Sequence, residues 1–291
     1  MLSLKDRKKQ ISKVTLIILF LNLSVSAAKI IYGWLAHSVA IYSDGFHSLF
    51  DGMSNIGGLI AIYLASRPPD KKHPYGHGKF ETVFTIFIGV LMGITAIEII
   101  RNVYKALIKE IKPDIDEKAL FILFGTLIIN IFVTLYEKKK GKELKSIFLI
   151  ADSAHTKTDI YLTSGVIISV IIIKLGFPLI DPIAGFIVGI FVAREAVKII
   201  KESADILADR TAIDESRIKE VIKDLKEVQA CEEIRTRGAM GNIFVDLKIF
   251  VNPSISVSEA HNVAEKVEER IKHEFSDVID VVVHVEPYKE N

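Results

Sequence analysis

Six long apolar stretches run along the chain, at about 14–36, 39–65, 81–107, 117–137, 146–174 and 179–200, with short polar segments between them. A helix crossing ~30 Å of hydrocarbon needs roughly 20 mostly apolar residues, so each stretch is expected to be a transmembrane α-helix. Beyond about residue 203 the texture changes to mixed charge and short amphipathic elements. There the pattern predicts a helix (214–227), strands at 232–237 and 243–251, a helix (256–274) and a last strand (279–286). NIFVDLKIFV and DVVVHVEP alternate apolar and polar positions as half-buried strands do. Gly238 to Asn242 supplies a hairpin turn. SVSEAHNVAEKVEERI opens with a Ser/Glu capping pattern and places Val257, Ala260, Val263, Ala264, Val267 and Ile271 at helical spacing. The expected fold is an α-helical membrane protein: six transmembrane helices over 1–203, then a small α+β domain of order αββαβ over 204–291.

Charge sets the expected orientation. Basic residues gather at the N-terminus (Lys5, Arg7, Lys8, Lys9), at 67–79 (Arg67, Lys71, Lys72, Lys79) and at 138–145 (Lys138, Lys139, Lys140, Lys142, Lys145). The segments 33–38 and 175–179 carry none. The positive-inside rule then puts both termini and the α+β domain in the cytoplasm of a multi-pass plasma-membrane protein. The 105–118 segment dissents weakly, its lysines offset by Glu110, Asp114, Asp116 and Glu117. The first apolar run is too long for a signal-peptide core and counts as helix one. A net charge of +1, with no basic patch interleaved with aromatics, gives no reason to expect a nucleic-acid partner. The single cysteine, Cys231, rules out a disulfide within the chain and a Cys-rich zinc site, and reads as a small apolar filler.

An ionisable residue at mid-membrane costs roughly 2.5–3.5 kcal/mol on the insertion scale, so each one asks for a reason. The second stretch carries Asp44, His47, Asp51 and Asn55, and the fifth carries Asp152, His155 and Asp159. Both contain D-x-x-H-x-x-x-D, an internal repeat on two non-adjacent helices. Residues four apart share a helix face, so His47 points with Asp51 and His155 with Asp159. Two such faces meeting in a bundle offer two imidazoles and two carboxylates to one ion, a set suited to tetrahedral Zn2+. Imidazole argues against Mg2+ and Ca2+ but leaves Cd2+, Co2+, Fe2+ and Mn2+ open. Asp44 and Asp152 sit a turn away in opposite directions, either as groups at the mouth of the site or as solvated residues near a helix N-terminus.

With these residues the chain resembles the cation diffusion facilitator family of metal/proton antiporters, over nearly its whole length. The resemblance implies a transport site on helices two and five at His47, Asp51, His155 and Asp159, in a two-His, two-Asp version that looks like the zinc-preferring branch. PDKKHPYGHGKFE matches the family's loop metal site through Asp70, His73 and His77. Lys79 matches a lysine that pairs with an aspartate at the start of the soluble domain, here Asp209. The αββαβ segment looks like the family's metallochaperone-like, ferredoxin-like domain, which implies a homodimer. His261, His284 and Glu286 match part of that domain's zinc site. Glu232 and Lys248 stand where further histidines are expected, so a Glu232–Lys248–Glu286 salt bridge is expected to fill part of it. The 138–146 segment lacks a histidine run, which leans toward a prokaryotic source.

Metal binding needs neutral imidazole and ionised carboxylate, so metal and protons compete for the same groups. The expected function is export of a divalent metal, Zn2+ first, in exchange for protons. Two other readings stay open here. One is a membrane-bound metal sensor. The other is an intramembrane metal-dependent hydrolase, although HExxH is absent and four protein ligands leave no position for water.

Overall fold

The structure, a computed structural model, describes residues 4–35, 49, 52, 55–109, 117–174 and 180–289. The chain divides into two compact units between Ser203 and Ala204. The first holds α1 (Leu4–Leu35), α2 (Asn55–Ala65), α3 (Lys79–Lys109), α4 (Glu117–Glu143), α5 (Ile147–Lys174) and most of α6 (Ile180–Leu207). In α1, α3 and α4 the runs Asp6–Ile31, Lys79–Lys105 and Phe121–Glu143 are long and apolar enough to cross a membrane. Their outer faces expose Phe20, Ile97, Phe121 and Ile128, while Ile18, Ile88, Met92, Val133 and Phe148 close an inner core. Apolar residues on both faces suit a helix whose solvent is lipid. The protein is a multi-pass membrane protein.

The helices outrun the apolar stretches. α1 begins at Leu4 rather than near residue 14, and α4 runs on to Glu143. The 138–145 segment, expected as a loop, is therefore mostly helix. Lysine and glutamate are good helix formers, so nothing stops α4 until the turn at Lys145, whose φ is 52°. Gly141 costs helix propensity but lets α5 come close: a Cβ there would sit 2.9 Å from Cγ1 of Ile150.

One carboxylate ties this end of the unit together. Glu81, in the first turn of α3, accepts hydrogen bonds from the Ser146 hydroxyl and, at 3.2 Å, from the Phe148 N–H at the start of α5. Arg7 of α1 donates to Glu81 at 3.2 Å and to the carbonyls of Leu144 and Lys145, each at 2.8 Å. The orphan N–H of one helix start and two carbonyls past the end of α4 are thereby satisfied together.

The second unit adds α7 (Glu215–Ile222), β1 (Ala230–Ala239), β2 (Asn242–Val251), α8 (Val257–Glu274) and β3 (Val278–Pro287). The order is αββαβ. β2 is central, antiparallel to β1 and parallel to β3, and α8 makes the crossover a parallel pair requires. Its alternate residues Val245, Leu247 and Ile249 pack on Ile218 and Ile222 of α7 and Val267 and Ile271 of α8. Gly238 has φ 115°, and a Cβ there would strike the Asn242 carbonyl at 2.1 Å, so the hairpin needs glycine. Ser256 and Glu259 form the expected capping box. Two expectations change. α7 stops at Ile222 rather than 227, because Leu225 and Val228 close tighter turns onto Ile222 and Leu225. Val257 is 88% exposed, since the first helical residue lies beyond the stripe that meets the sheet.

Replacing Glu81 by Ala should destabilise the protein by about 3 kcal/mol, the scale of breaking a buried charged pair. Thermal unfolding in nanodiscs should show the loss, with Glu81→Gln intermediate because it still accepts a hydrogen bond.

Candidate metal centre

The segment between α2 and α3 folds around Asp70. Its Oδ1 accepts the N–H groups of Lys72 (2.8 Å) and His73 (2.7 Å), and Gly76, with φ 82°, turns the chain back toward α3. The Asp70 carboxylate then lies 3.4 Å from both His73 Nδ1 and His77 Nε2. The imidazole rings are 4.3 Å apart between centroids, and Phe80 stacks on His77 at 5.9 Å. One ligand atom from each of the three residues lies within 4.8 Å of the others. Two imidazoles and a carboxylate are three of the four donors of a tetrahedral site, and His77 buries a ring nitrogen, Nδ1, with no hydrogen-bond partner. These donors fit a transition metal. The two backbone N–H groups hold Asp70 below its usual carboxylate range, so it stays ionised well into acid.

The second cluster lies on α5. His155 is 7% exposed and turned into the unit, and Asp159, one turn on, is half-buried. Their intended partners His47 and Asp51, with Asp44, lie outside the described residues. The described part of α2 does reach α5. Nδ2 of Asn55 donates to Oδ2 of Asp152 at 2.6 Å, and Asn55 Oδ1 accepts from Asn22 of α1 at 3.1 Å. Asp152 is thus no solvated helix-end residue: it is 2% exposed. Farther along α2, a Cβ on Gly58 would overlap the Phe148 ring at 2.1 Å, so glycine there permits the close approach of the two helices.

Sequence reasoning missed Glu137. It sits where α4 passes from apolar residues to lysines and reads as an interface residue, yet it is wholly buried. Its Oε2 accepts the Thr156 hydroxyl at 3.3 Å, and the Asp152 carboxyl is within hydrogen-bonding reach. A lone Glu three residues past a polar Thr134, on one helix face inside an apolar helix, was the available signal.

In the second unit His284 and Glu286 are neighbours on β3 at 3.1 Å, whereas His261 pairs with Glu265 of its own helix at 3.3 Å. The three do not form a cluster within one chain. Lys248 bridges Glu233 (2.7 Å) and Glu286 (3.3 Å), so Glu233 replaces the expected Glu232. The cause is a bulge between Glu232 and Arg235, with Glu233 at φ 49°, which turns the next residue toward Lys248. First Glu233, then Glu286, raises the Lys248 ammonium above its usual range, so it stays charged and cannot ligate. Lys79 opens α3 and Asp209 follows α6, one in each unit.

A family model of the cation efflux transmembrane domain matches residues 15–208, and one of the cation efflux protein cytoplasmic domain matches 211–288. The chain belongs to the cation diffusion facilitator family. This facilitator is 29% identical over 296 residues to the manganese efflux system protein MneP of Bacillus subtilis (strain 168), covering 98% of this chain and 99% of that one. It is 28% identical over 287 residues to MneS, the manganese efflux system protein of the same strain, covering 98% of both. A solved cytosolic domain of a cation diffusion facilitator family protein is 29% identical over 25% of this chain and 86% of that chain, with a TM-score of 0.23. The facilitator is a transporter of divalent metal cations and not an enzyme, which removes the hydrolase reading.

Two outcomes test the site chemistry. Asp70→Asn should weaken Zn2+ binding at the loop by about tenfold or more at pH 7, read by calorimetry on the full-length protein, because a charged donor becomes neutral. Burial pushes the Cys231 thiol up to about 11. Its thiolate should be about a hundredfold scarcer than that of an ordinary thiol below pH 9, with alkylation slowed to match. Because unfolding frees the thiolate, the fold should lose stability as pH climbs from 9 through 11.

Proposed function

We propose that this facilitator exports a divalent transition metal from the cytoplasm in exchange for protons, with the ion held by His47, Asp51, His155 and Asp159. The observation that carries the reading is the burial of His155, 7% exposed, one turn from Asp159 on a membrane helix that meets α2 at Asn55. A buried imidazole and a half-buried carboxylate on one face of such a helix cost free energy unless protein, a cation or a proton meets them. Both groups bind metal only when deprotonated, so metal entering the site displaces protons, and protons entering from the far side displace metal. The charge pattern supports both termini in the cytoplasm, and the match to the dimer-forming cytoplasmic domain supports a homodimer.

Zn2+ is the cargo favoured by paired imidazole and carboxylate donors. Mn2+ is the second reading, favoured by the manganese efflux proteins MneP and MneS to which the chain is similar. Cd2+, Co2+ and Fe2+ suit the same donors less distinctively. A sensor without transport would bind metal and move none.

In inverted vesicles with an internal fluorescent metal reporter, a pH gradient should drive metal uptake. His155→Ala and Asp159→Ala should each cut it by about a hundredfold or more. Persistence of uptake in both would remove the site. Competition among Zn2+, Mn2+, Cd2+, Co2+ and Fe2+ decides the cargo, and His47→Asp should shift preference from Zn2+ toward Mn2+.

A further inference from the structure

A groove of about 840 Å3 runs along the outward face of α1. One end of it is basic, lined by Lys8, Lys9 and Lys13, and the rest is apolar, lined by Leu16, Ile17 and Phe20. The three apolar side chains are all exposed, Phe20 by 71%. Lys9, Lys13 and Ile17 are spaced by four, as are Lys8, Ser12, Leu16 and Phe20. One helix face therefore changes from cationic to apolar within about a turn. That change falls where the apolar run of α1 begins, at the water edge of a helix long enough to cross a membrane.

A second element adds to the basic end. The Lys8 ammonium lies 4.0 Å from the centroid of the Tyr63 ring of α2. Arg67, two residues past α2, lies 5.2 Å from the same ring. The ring thus gathers two cations from separate segments. A tyrosine in such a place is usual where hydrocarbon meets water. Other basic groups at this end of the unit are already matched. Arg7 is paired with Glu81, and Lys140 with Glu143 at 2.5 Å. Lys9 and Lys13, both exposed, meet no carboxylate among the described residues.

The occupant must be negative at one end and apolar at the other. A soluble anion would satisfy the lysines and leave the apolar floor unused. A second copy of the chain, meeting this face across a twofold axis, would bring its own Lys8, Lys9 and Lys13 against these. Like charges there repel. We propose that this face of α1, with Arg67, binds one anionic phospholipid. Its phosphate sits among Lys8, Lys9, Lys13 and Arg67, and an acyl chain lies along Leu16, Ile17 and Phe20. Basic clusters beside membrane helices at the water edge hold anionic headgroups in this way. The bound lipid steadies the start of α1, where Arg7 holds the Glu81 junction. None of this depends on which ion is carried, or on export.

The test titrates delipidated full-length protein in neutral detergent with phosphatidylglycerol or phosphatidylcholine of identical chains. Native mass spectrometry counts the lipid bound, and thermal unfolding reads its effect. One phosphatidylglycerol per protomer should bind at least tenfold tighter than phosphatidylcholine and raise the melting temperature. Each cation near a headgroup contributes roughly fivefold in affinity, so Lys9→Gln with Lys13→Gln should lose about twenty-fivefold. Arg67→Gln should lose about fivefold, an independent reading if the double variant folds poorly. Phe20→Ala should weaken both lipids alike, since it touches only the chain. Lys138→Gln with Lys139→Gln removes the same charge from exposed positions of α4 and should change nothing. Equal loss in that control would mean that net charge alone attracts the lipid, and overturns the proposal. So does displacement of phosphatidylglycerol by millimolar inorganic phosphate, which would mark a site for a soluble anion. Dissociation of a dimer in the Lys9, Lys13 variant would place a second copy on this face and overturn it too.

Discussion

The hydrocarbon interior offers a buried carboxylate nothing, so every such group in the first unit must be met by protein, proton or ion. That constraint organises the described helices. Asp152 is met by Asn55, Asn55 by Asn22, and Glu137 by Thr156, which links α1, α2, α4 and α5 through side chains and not through apolar packing alone. Lipid gives helices little hydrophobic reason to associate, so such polar contacts and small-residue approaches carry much of the specificity. Gly58 against Phe148 and Gly141 against Ile150 are approaches of that kind.

The Glu81 junction does for the end of the unit what the Asn55–Asp152 contact does for its interior. The loop cluster runs directly into it. His77 accepts the Phe80 N–H and Gly78 accepts that of Glu81, so the chain that holds Asp70, His73 and His77 is also the chain that starts α3. Glu81 then holds the start of α5, eight residues before His155 in the sequence. A short path of backbone and buried hydrogen bonds thus connects the loop donors to the helix that bears His155.

The two donor clusters differ in how their charge is stabilised. Asp70 is exposed and kept ionised by backbone N–H groups, so the loop can hold an ion in contact with water. His155 and Asp152 are buried, so a charge on either must be met by protein, proton or ion. An exposed cluster suits exchange with solvent, and a dry one suits a step in which metal and protons replace each other.

Much of this protein was legible in the order of its residues. Apolar runs of membrane length, the alternation of β2 and β3, the capping box at Ser256 and the His–Asp spacing on α5 are local patterns with periods set by backbone geometry, so they show before any folding is known. The loop donors were legible too, since Asp70, His73 and His77 lie within one turn of chain. Contacts between distant segments were not. Glu137 resembles any glutamate at a membrane edge until α5 brings Asp152 to it. Lys248 chooses Glu233 over Glu232 only because a bulge adds a residue to β1. Periodicity decides which face a residue occupies, but only the packed chain decides what that face meets.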